Sequence, residues 1–302
     1  MIGTRDIIEI KNISKNYKEI DIFKRLKGHK SKIGINNISL NVKEGEIFSI
    51  IGLNGSGKTT LMKCMLGLLK PDFGEIKVFG KSKLKRKDYY NIGYLPEISY
   101  YPKEVRLKDL INYYAELYNM DRLNRNKIID EIFEILKLKG REKDKLENFS
   151  KGMVQKVGIA QAIMNEPKLL FLDEPMSGLD PLGRKLVMDI IKKMKSKGTT
   201  IILNTHILSD VEKLSDRIVI LDSGELKSVV DFKNYMQIKS KYQIKITKPY
   251  KNFVRLGSFY VKNVIETELD EIIGDLILRG VKIVDIEKLN VSLERYFIEQ
   301  IS

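Results

Sequence analysis

The stretch GLNGSGKTT begins at Gly52 and sets three glycines within six residues, then a lysine and two threonines. Its spacing, G-x-x-x-x-G-K-[ST], falls directly after an apolar run and opens a segment with apolar residues at helical intervals. Gly55 and Gly57 allow the backbone to curl so that several N–H groups face one concavity. There an anion also meets the positive end of a helix dipole. Lys58 adds a charge that reaches terminal phosphates, and the Thr59 hydroxyl suits a Mg²⁺ ion bridging them. Gly52, Asn54, Gly55, Ser56, Gly57, Lys58, Thr59 and Thr60 therefore form a candidate cradle for a nucleotide and its Mg²⁺.

Two further sites carry chemistry. KLLFLDEP ends in Asp173 and Glu174 at the expected C-terminal edge of a buried strand, where parallel α/β sheets bind ligands. Asp173 is expected in the Mg²⁺ shell, and Glu174 is expected to polarise a water toward a γ-phosphate. Away from a phosphate loop the same pair would read as a solvated turn. LNTHIL places His206 at the end of the next apolar strand, where its imidazole can donate to the γ-phosphate and register its loss.

The elements that position these residues follow from local pattern. IIEIKNISKNY, IGINNISLNV and GEIFSIIG read as strands, so an antiparallel β region opens the fold. A helix over 59–69 follows the glycine loop, then a turn at Pro71 to Gly74 and strands at EIKVFG and NIGYLP. Helical periodicity holds from Leu107 to about Ile163. KLLFLDEP and TTIILNTH are almost wholly apolar, as strands buried on both faces are, and the helix-like PLGRKLVMDIIKKMKSKG between them completes a βαβ unit. DRIVILDSGELKSVV supplies two more strands around Ser223 and Gly224. Beyond about residue 231, YQIKIT, TELDEIIGDLILRG, VKIVDIEK and SLERYFIEQ read as strand, helix, strand, helix. The expected division is a cassette over 1–230, with a helical subdomain at about 98–165, and a small α+β domain over 231–302.

Composition narrows the class. The 302 residues are 43% apolar and 31% charged, as in a folded globular protein. No apolar run reaches the roughly 18 residues of a membrane helix. The N-terminus is charged where a signal peptide needs an apolar block, so a cytoplasmic location is expected. Cys64 is the single cysteine, which rules out an internal disulfide and suits simple packing. The net charge of +14 would suit nucleic acid, anionic lipid or another polyanion, but lysine is abundant throughout and we read the excess as compositional.

In their order along the chain these motifs resemble the nucleotide-binding subunits of ATP-binding-cassette (ABC) transporters, over Ile7 to about Val230. The resemblance identifies NFSKGMVQKVGIAQAI with the family's signature element, usually LSGGQ, at Phe149, Ser150, Lys151, Gly152 and Met153. SGLD, Ser177 to Asp180, matches the D-loop, His206 the switch histidine and Glu97 the Q-loop glutamine. Tyr17 matches an aromatic that stacks on adenine, with a plain strand-end tyrosine as the competing reading.

What the resemblance implies is an α/β P-loop NTPase fold: a parallel sheet core, an N-terminal antiparallel β subdomain, a helical subdomain and a small C-terminal α+β domain. It implies an ATPase that uses ATP and Mg²⁺, with Thr59, Glu97 and Asp173 at the metal. It also implies a homodimer, or a heterodimer with a similar cassette, bound to polytopic permease subunits on the inner face of the cell membrane. Each ATP would lie between the glycine loop of one subunit and Ser150 and Gly152 of the other. YLPE with FSKGM resembles the exporter subgroup.

Three departures stand out: Glu97 for glutamine, Lys151 for the signature's first glycine, and Met153 for its glutamine. Glu97 keeps an oxygen ligand for Mg²⁺. The rival reading is an ABC-type ATPase acting on nucleic acid, in repair or chromosome organisation. Such chains insert a long coiled coil, whereas here only Leu61 to Asn148 separates the halves and without sustained heptads, so nucleic acid is not the expected partner. A translation-factor cassette would carry two phosphate loops. A dead scaffold would lack some of Lys58, Thr59, Asp173, Glu174 and His206. The basic segments around Lys24 to Lys32, which include His29, and around Lys81 to Lys87 read as solvated loops that could also meet lipid headgroups.

Overall fold

The computed structural model describes residues 5–17, 32–232, 241–289 and 293–301. Of the basic segment 18–32, expected above to be a solvated loop, residues 18–31 lie outside the described residues and Lys32 begins a strand. The chain divides into two units, Met1–Val229 and Val230–Ser302.

In the first unit, β1 (Asp6–Tyr17), β2 (Lys32–Lys43) and β4 (Phe73–Val78) form an antiparallel sheet in the order β2-β1-β4. A second sheet gathers β3 (Ile47–Gly52), β5 (Ile92–Leu95), β6 (Leu169–Asp173), β7 (Thr200–Asn204), β8 (Arg217–Asp222) and β9 (Glu225–Asp231). Their order is β5-β6-β7-β3-β8-β9. The pairs β5–β6, β6–β7, β7–β3 and β3–β8 are parallel. Every residue of β3, β6 and β7 is buried, which explains why these strands read as unbroken apolar runs.

Alternation along the strands serves two cores. Leu170, Leu172, Ile201 and Leu203 face a cluster built on α3 (Leu107–Leu117), α4 (Arg122–Ile135), α5 (Lys151–Ile163) and α6 (Pro181–Ser196). Leu169, Phe171 and Ile202 face the other way, against the antiparallel sheet and α1 (Lys58–Met65), with the short α2 (Arg86–Tyr89) leading into β5. The strands therefore form a layer gripped on both faces, and only their ends are open to ligands. Buried Cys64 lies in the second cluster, where burial pushes its thiol up to about 11.

Helix α1 is shorter than the 59–69 expected. Gly67 turns left-handed at φ 70, and the N–H groups of Leu68 and Leu69 return to Lys63 O, which closes the helix. Ser150 caps α5 by accepting from Met153 N at 3.3 Å, and Asp180 caps α6 by accepting from Gly183 N at 2.7 Å. A short α7 (Leu208–Leu214) follows His206.

The second unit holds β10 (Lys241–Ile246), β11 (Val254–Leu256), β12 (Phe259–Ile265), α8 (Glu266–Leu278), β13 (Ile283–Leu289) and α9 (Leu293–Ile301). Its sheet is antiparallel in the order β11-β12-β10-β13, and Ile244, Ile246, Val264 and Leu276 form its core. The β11–β12 hairpin is an addition to the strand, helix, strand, helix pattern expected. Leu256 pairs with Phe259 around a two-residue Gly257-Ser258 turn, with Gly257 at φ 59. A glycine-serine pair between apolar runs was the available signal.

Candidate functional site

Register fixes the site. β6 and β7 pair with Asp173 opposite Asn204, β7 and β3 with Asn204 opposite Ile50, and β3 and β8 with Gly52 opposite Leu221. The glycine loop, the acidic pair and His206 consequently emerge at one C-terminal edge. Glu97 lies two residues past the end of β5, on the same side.

The loop's glycines are required by their surroundings. A Cβ on Gly52 would lie 2.2 Å from Leu221 O and 2.4 Å from Ser56 Oγ. One on Gly57 would lie 2.4 Å from Gly34 O, and Gly57 has φ 102, open only to glycine at ordinary cost. Gly55 has φ 83 with nothing nearby. Leu53, Asn54 and Gly55 are exposed on the rim, while Ser56 is buried with its Oγ unpartnered.

Lys58 is 8% exposed, and its Nζ donates to Gly52 O at 2.9 Å and Leu53 O at 3.0 Å. Burial holds this ammonium below the usual lysine value, opposed by the negative charges of Glu174, Asp173 and Glu97. Thr59 is half-buried in the first turn of α1. Thr60 turns away from the loop, its Oγ1 lying 3.0 Å from the Tyr17 hydroxyl, and Tyr17 as a residue is 40% exposed.

Asp173 is 2% exposed and accepts from Asn204 Nδ2 at 2.6 Å. Burial pushes its carboxyl up to about 6. The charges of Glu97 and Glu174 raise it too, while Asn204 and Lys58 oppose the rise. Asn204 Oδ1 is itself buried and unpartnered beside it.

Glu174 ends the strand in a left-handed conformation, φ 50. Its Oε1 accepts from His206 N at 3.0 Å and lies 2.7 Å from His206 Nδ1, and its Oε2 accepts from Thr205 Oγ1 at 3.3 Å. Asn204 and Thr205 went unnoticed in the sequence. The available signal was two polar residues ending an apolar strand just before His206.

Ser150 and Gly152 open α5, with Ser150 exposed. A Cβ on Gly152 would meet Gly178 O at 3.3 Å and Leu179 Cδ2 at 3.4 Å, so this turn lies against the loop that follows β6. The stem of Lys151 covers Gly178, whose own Cβ would lie 3.0 Å from it.

These residues fit a Mg²⁺-bound triphosphate. The tight glycine bend leaves no room for a Cβ at Gly52 or Gly57, two buried polar oxygens lack partners at this edge, and Thr59, Asp173 and Glu97 offer only hard oxygen donors. Among the described residues no group of three or more His, Cys, Asp or Glu side chains is placed to hold a metal ion.

Residues 35–177 match the family described as ABC transporter. The bacitracin transport ATP-binding protein BcrA of Bacillus licheniformis is 32% identical over 271 residues, covering 84% of this chain and 88% of that one. YcbN of Bacillus subtilis, an uncharacterized ABC transporter ATP-binding protein, is 32% identical over 98% of this chain and 97% of its own. Among solved structures, an ATP-binding subunit of an ABC transporter superposes with TM-score 0.66 at 30% identity, covering 76% of this chain and 91% of that one. A dimeric ATP-binding cassette in a post-hydrolysis state with ADP and Pi gives TM-score 0.65 at 26% identity, covering 74% and 98%.

Proposed function

This chain belongs to the ABC transporter ATP-binding family, and from that premise we propose that two such subunits close head to tail on ATP to drive export through separate permease chains. It is an ATP-binding subunit and an ATPase. Export as the direction of transport is supported by the relative that carries bacitracin in its name. No helix among the described residues is long and apolar enough to cross a membrane. As the family implies, separate polytopic permease chains would supply the transmembrane path and hold this subunit at the inner membrane face.

The single observation that carries the reading is the gathering of Lys58, Asp173, Glu174 and Glu97 within electrostatic reach at one sheet edge. Lys58 Nζ now rests on two carbonyls of its own loop, and phosphate oxygens are stronger acceptors for an ammonium. The ammonium is thus poised to exchange those carbonyls for the β- and γ-phosphate oxygens of ATP. Mg²⁺, when bound, neutralises charge between those phosphates, and Thr59, Asp173 and Glu97 are the side chains that would hold it. Glu174 takes a proton from the attacking water, and the His206 and Thr205 donors fix its carboxylate for that step. Tyr17 offers an exposed ring for the adenine.

Exposed Ser150, at the N-terminus of α5, is suited to donate to a γ-phosphate held by the opposite subunit, and Gly152 lets that backbone approach. Hydrolysis then removes the shared group and frees the pair to separate. The test is Glu174→Gln. It should elute as a dimer with Mg-ATP and lose at least about a hundredfold in turnover; monomeric elution with full hydrolysis would refute the assignment. Purification from detergent extracts should recover a polytopic membrane chain with it.

A further inference from the structure

Glu174 is a non-glycine residue in the left-handed region, φ 50, at the end of β6. A side chain of this kind stays there only where its surroundings fix it. Its N–H is tied to Asn204 O at 2.8 Å, and its carbonyl accepts the Ser177 N–H at 3.0 Å. A third tie comes from another element. Gln155, 6% exposed, sends Nε2 to Glu174 O at 3.2 Å and to Pro175 O at 3.1 Å. One side-chain amide thus bridges two successive carbonyls at the bend that aims the Glu174 carboxylate.

Gln155 belongs to α5, the helix capped by Ser150. Five residues of helix rise separate the two, about 7.5 Å. A rigid helix therefore joins the exposed serine-led turn to the backbone of the acidic bend. The peptide bond it holds is the one joining Glu174 to Pro175, and proline has no N–H with which to anchor that stretch.

We propose that Gln155 is a positioning residue for ATP hydrolysis: its amide, on Glu174 O and Pro175 O, holds the bend that points the carboxylate at the attacking water, and makes that aim depend on where α5 lies. The inference rests on the reading of Glu174 as the base. Gln155 never touches the nucleotide, so its loss acts on the chemical step and not on ATP affinity. Displacement of α5 at its Ser150 end would likewise move the bend.

The experiment compares full-length Gln155→Met, Gln155→Asn and Glu174→Gln in steady-state hydrolysis of Mg-ATP and in equilibrium binding of a fluorescent ATP analogue. Met conserves the volume but removes the donors, and should lower kcat about ten- to a hundredfold with KM and analogue affinity within about twofold. Asn keeps an amide drawn back by one methylene, from contacts already at 3.1 and 3.2 Å, and should lower kcat in the same sense. Should the Met variant fail to fold, the Asn variant carries the measurement. Wild-type kcat in the folded variants, or a parallel loss of analogue affinity, overturns the proposal while Glu174→Gln remains inactive. Full activity of Glu174→Gln removes the underlying reading instead.

Discussion

His206 holds Glu174 by two bonds to the same oxygen: its backbone N–H at 3.0 Å and its ring Nδ1 at 2.7 Å from Oε1. The two residues lie just past the ends of neighbouring parallel strands, β6 and β7. The backbone bond survives any substitution other than proline, while the ring contact does not. His206→Ala should therefore leave Glu174 half-held, lowering kcat about a hundredfold with little change in KM for ATP. A raised KM at unchanged kcat, in steady-state assays, would assign the ring to ground-state binding instead.

Gly55 and Gly57 separate backbone strain from collision. Both have positive φ, but only Gly57 would bring a Cβ to 2.4 Å from a main-chain oxygen, Gly34 O. Gly55→Ala should cost about 1–2 kcal/mol of stability, the penalty of a left-handed alanine. Gly57→Ala should cost clearly more and abolish nucleotide binding, because β2 or the loop must move. Denaturant unfolding and titration with a fluorescent nucleotide measure both; equal costs would count against the cradle geometry.

Asp173 gives a pH signature in the nucleotide-free protein. Burial raises its carboxyl from an ordinary 3.8 to about 6. The folded chain then holds the proton more tightly than the unfolded chain. That contribution to stability is complete below the unfolded value and is lost as the pH climbs through about 6. Asp173→Asn removes the buried charge but keeps an acceptor for Asn204. In EDTA its stability gain over wild type should be larger at pH 8 than at pH 5 by about 1 kcal/mol. A gain independent of pH in denaturant titrations would show that the charge is not the cause.

Tyr17 separates stacking from hydrogen bonding. Tyr17→Phe loses only the 3.0 Å contact with Thr60 Oγ1 and should leave KM for ATP nearly unchanged. Tyr17→Ala removes the ring and should raise KM about tenfold, in line with the value of base–aromatic stacking. If Phe and Ala behave alike, the hydroxyl and its hold on α1 matter more than the ring.

Much of this was legible beforehand because it is local. Glycine spacing, strand-length apolar runs and the helical period between Pro181 and Gly198 depend on residues a few positions apart. The β11–β12 hairpin was missed although its glycine-serine turn was visible, because its strands carry exposed side chains and little alternation. The early end of α1 was missed because a single left-handed Gly67 outweighs several apolar residues at helical spacing. No local pattern marks Gln155 as distinct from other polar residues on helices; its role exists only through two carbonyls about twenty positions away.

The sequence by itself determined the chemical types and the strand ends on which they stand, since both follow from short-range sterics and periodicity. Only the tertiary structure decided that β7 lies between β3 and β6, because pairing across more than a hundred residues is set by how two cores bury both faces of one sheet. That order brings Lys58, Asp173 and Glu174 within reach of one another, and with them Asn204 and Thr205, which donate to the two carboxylates, and Gln155, which donates to the main-chain carbonyls of Glu174 and Pro175.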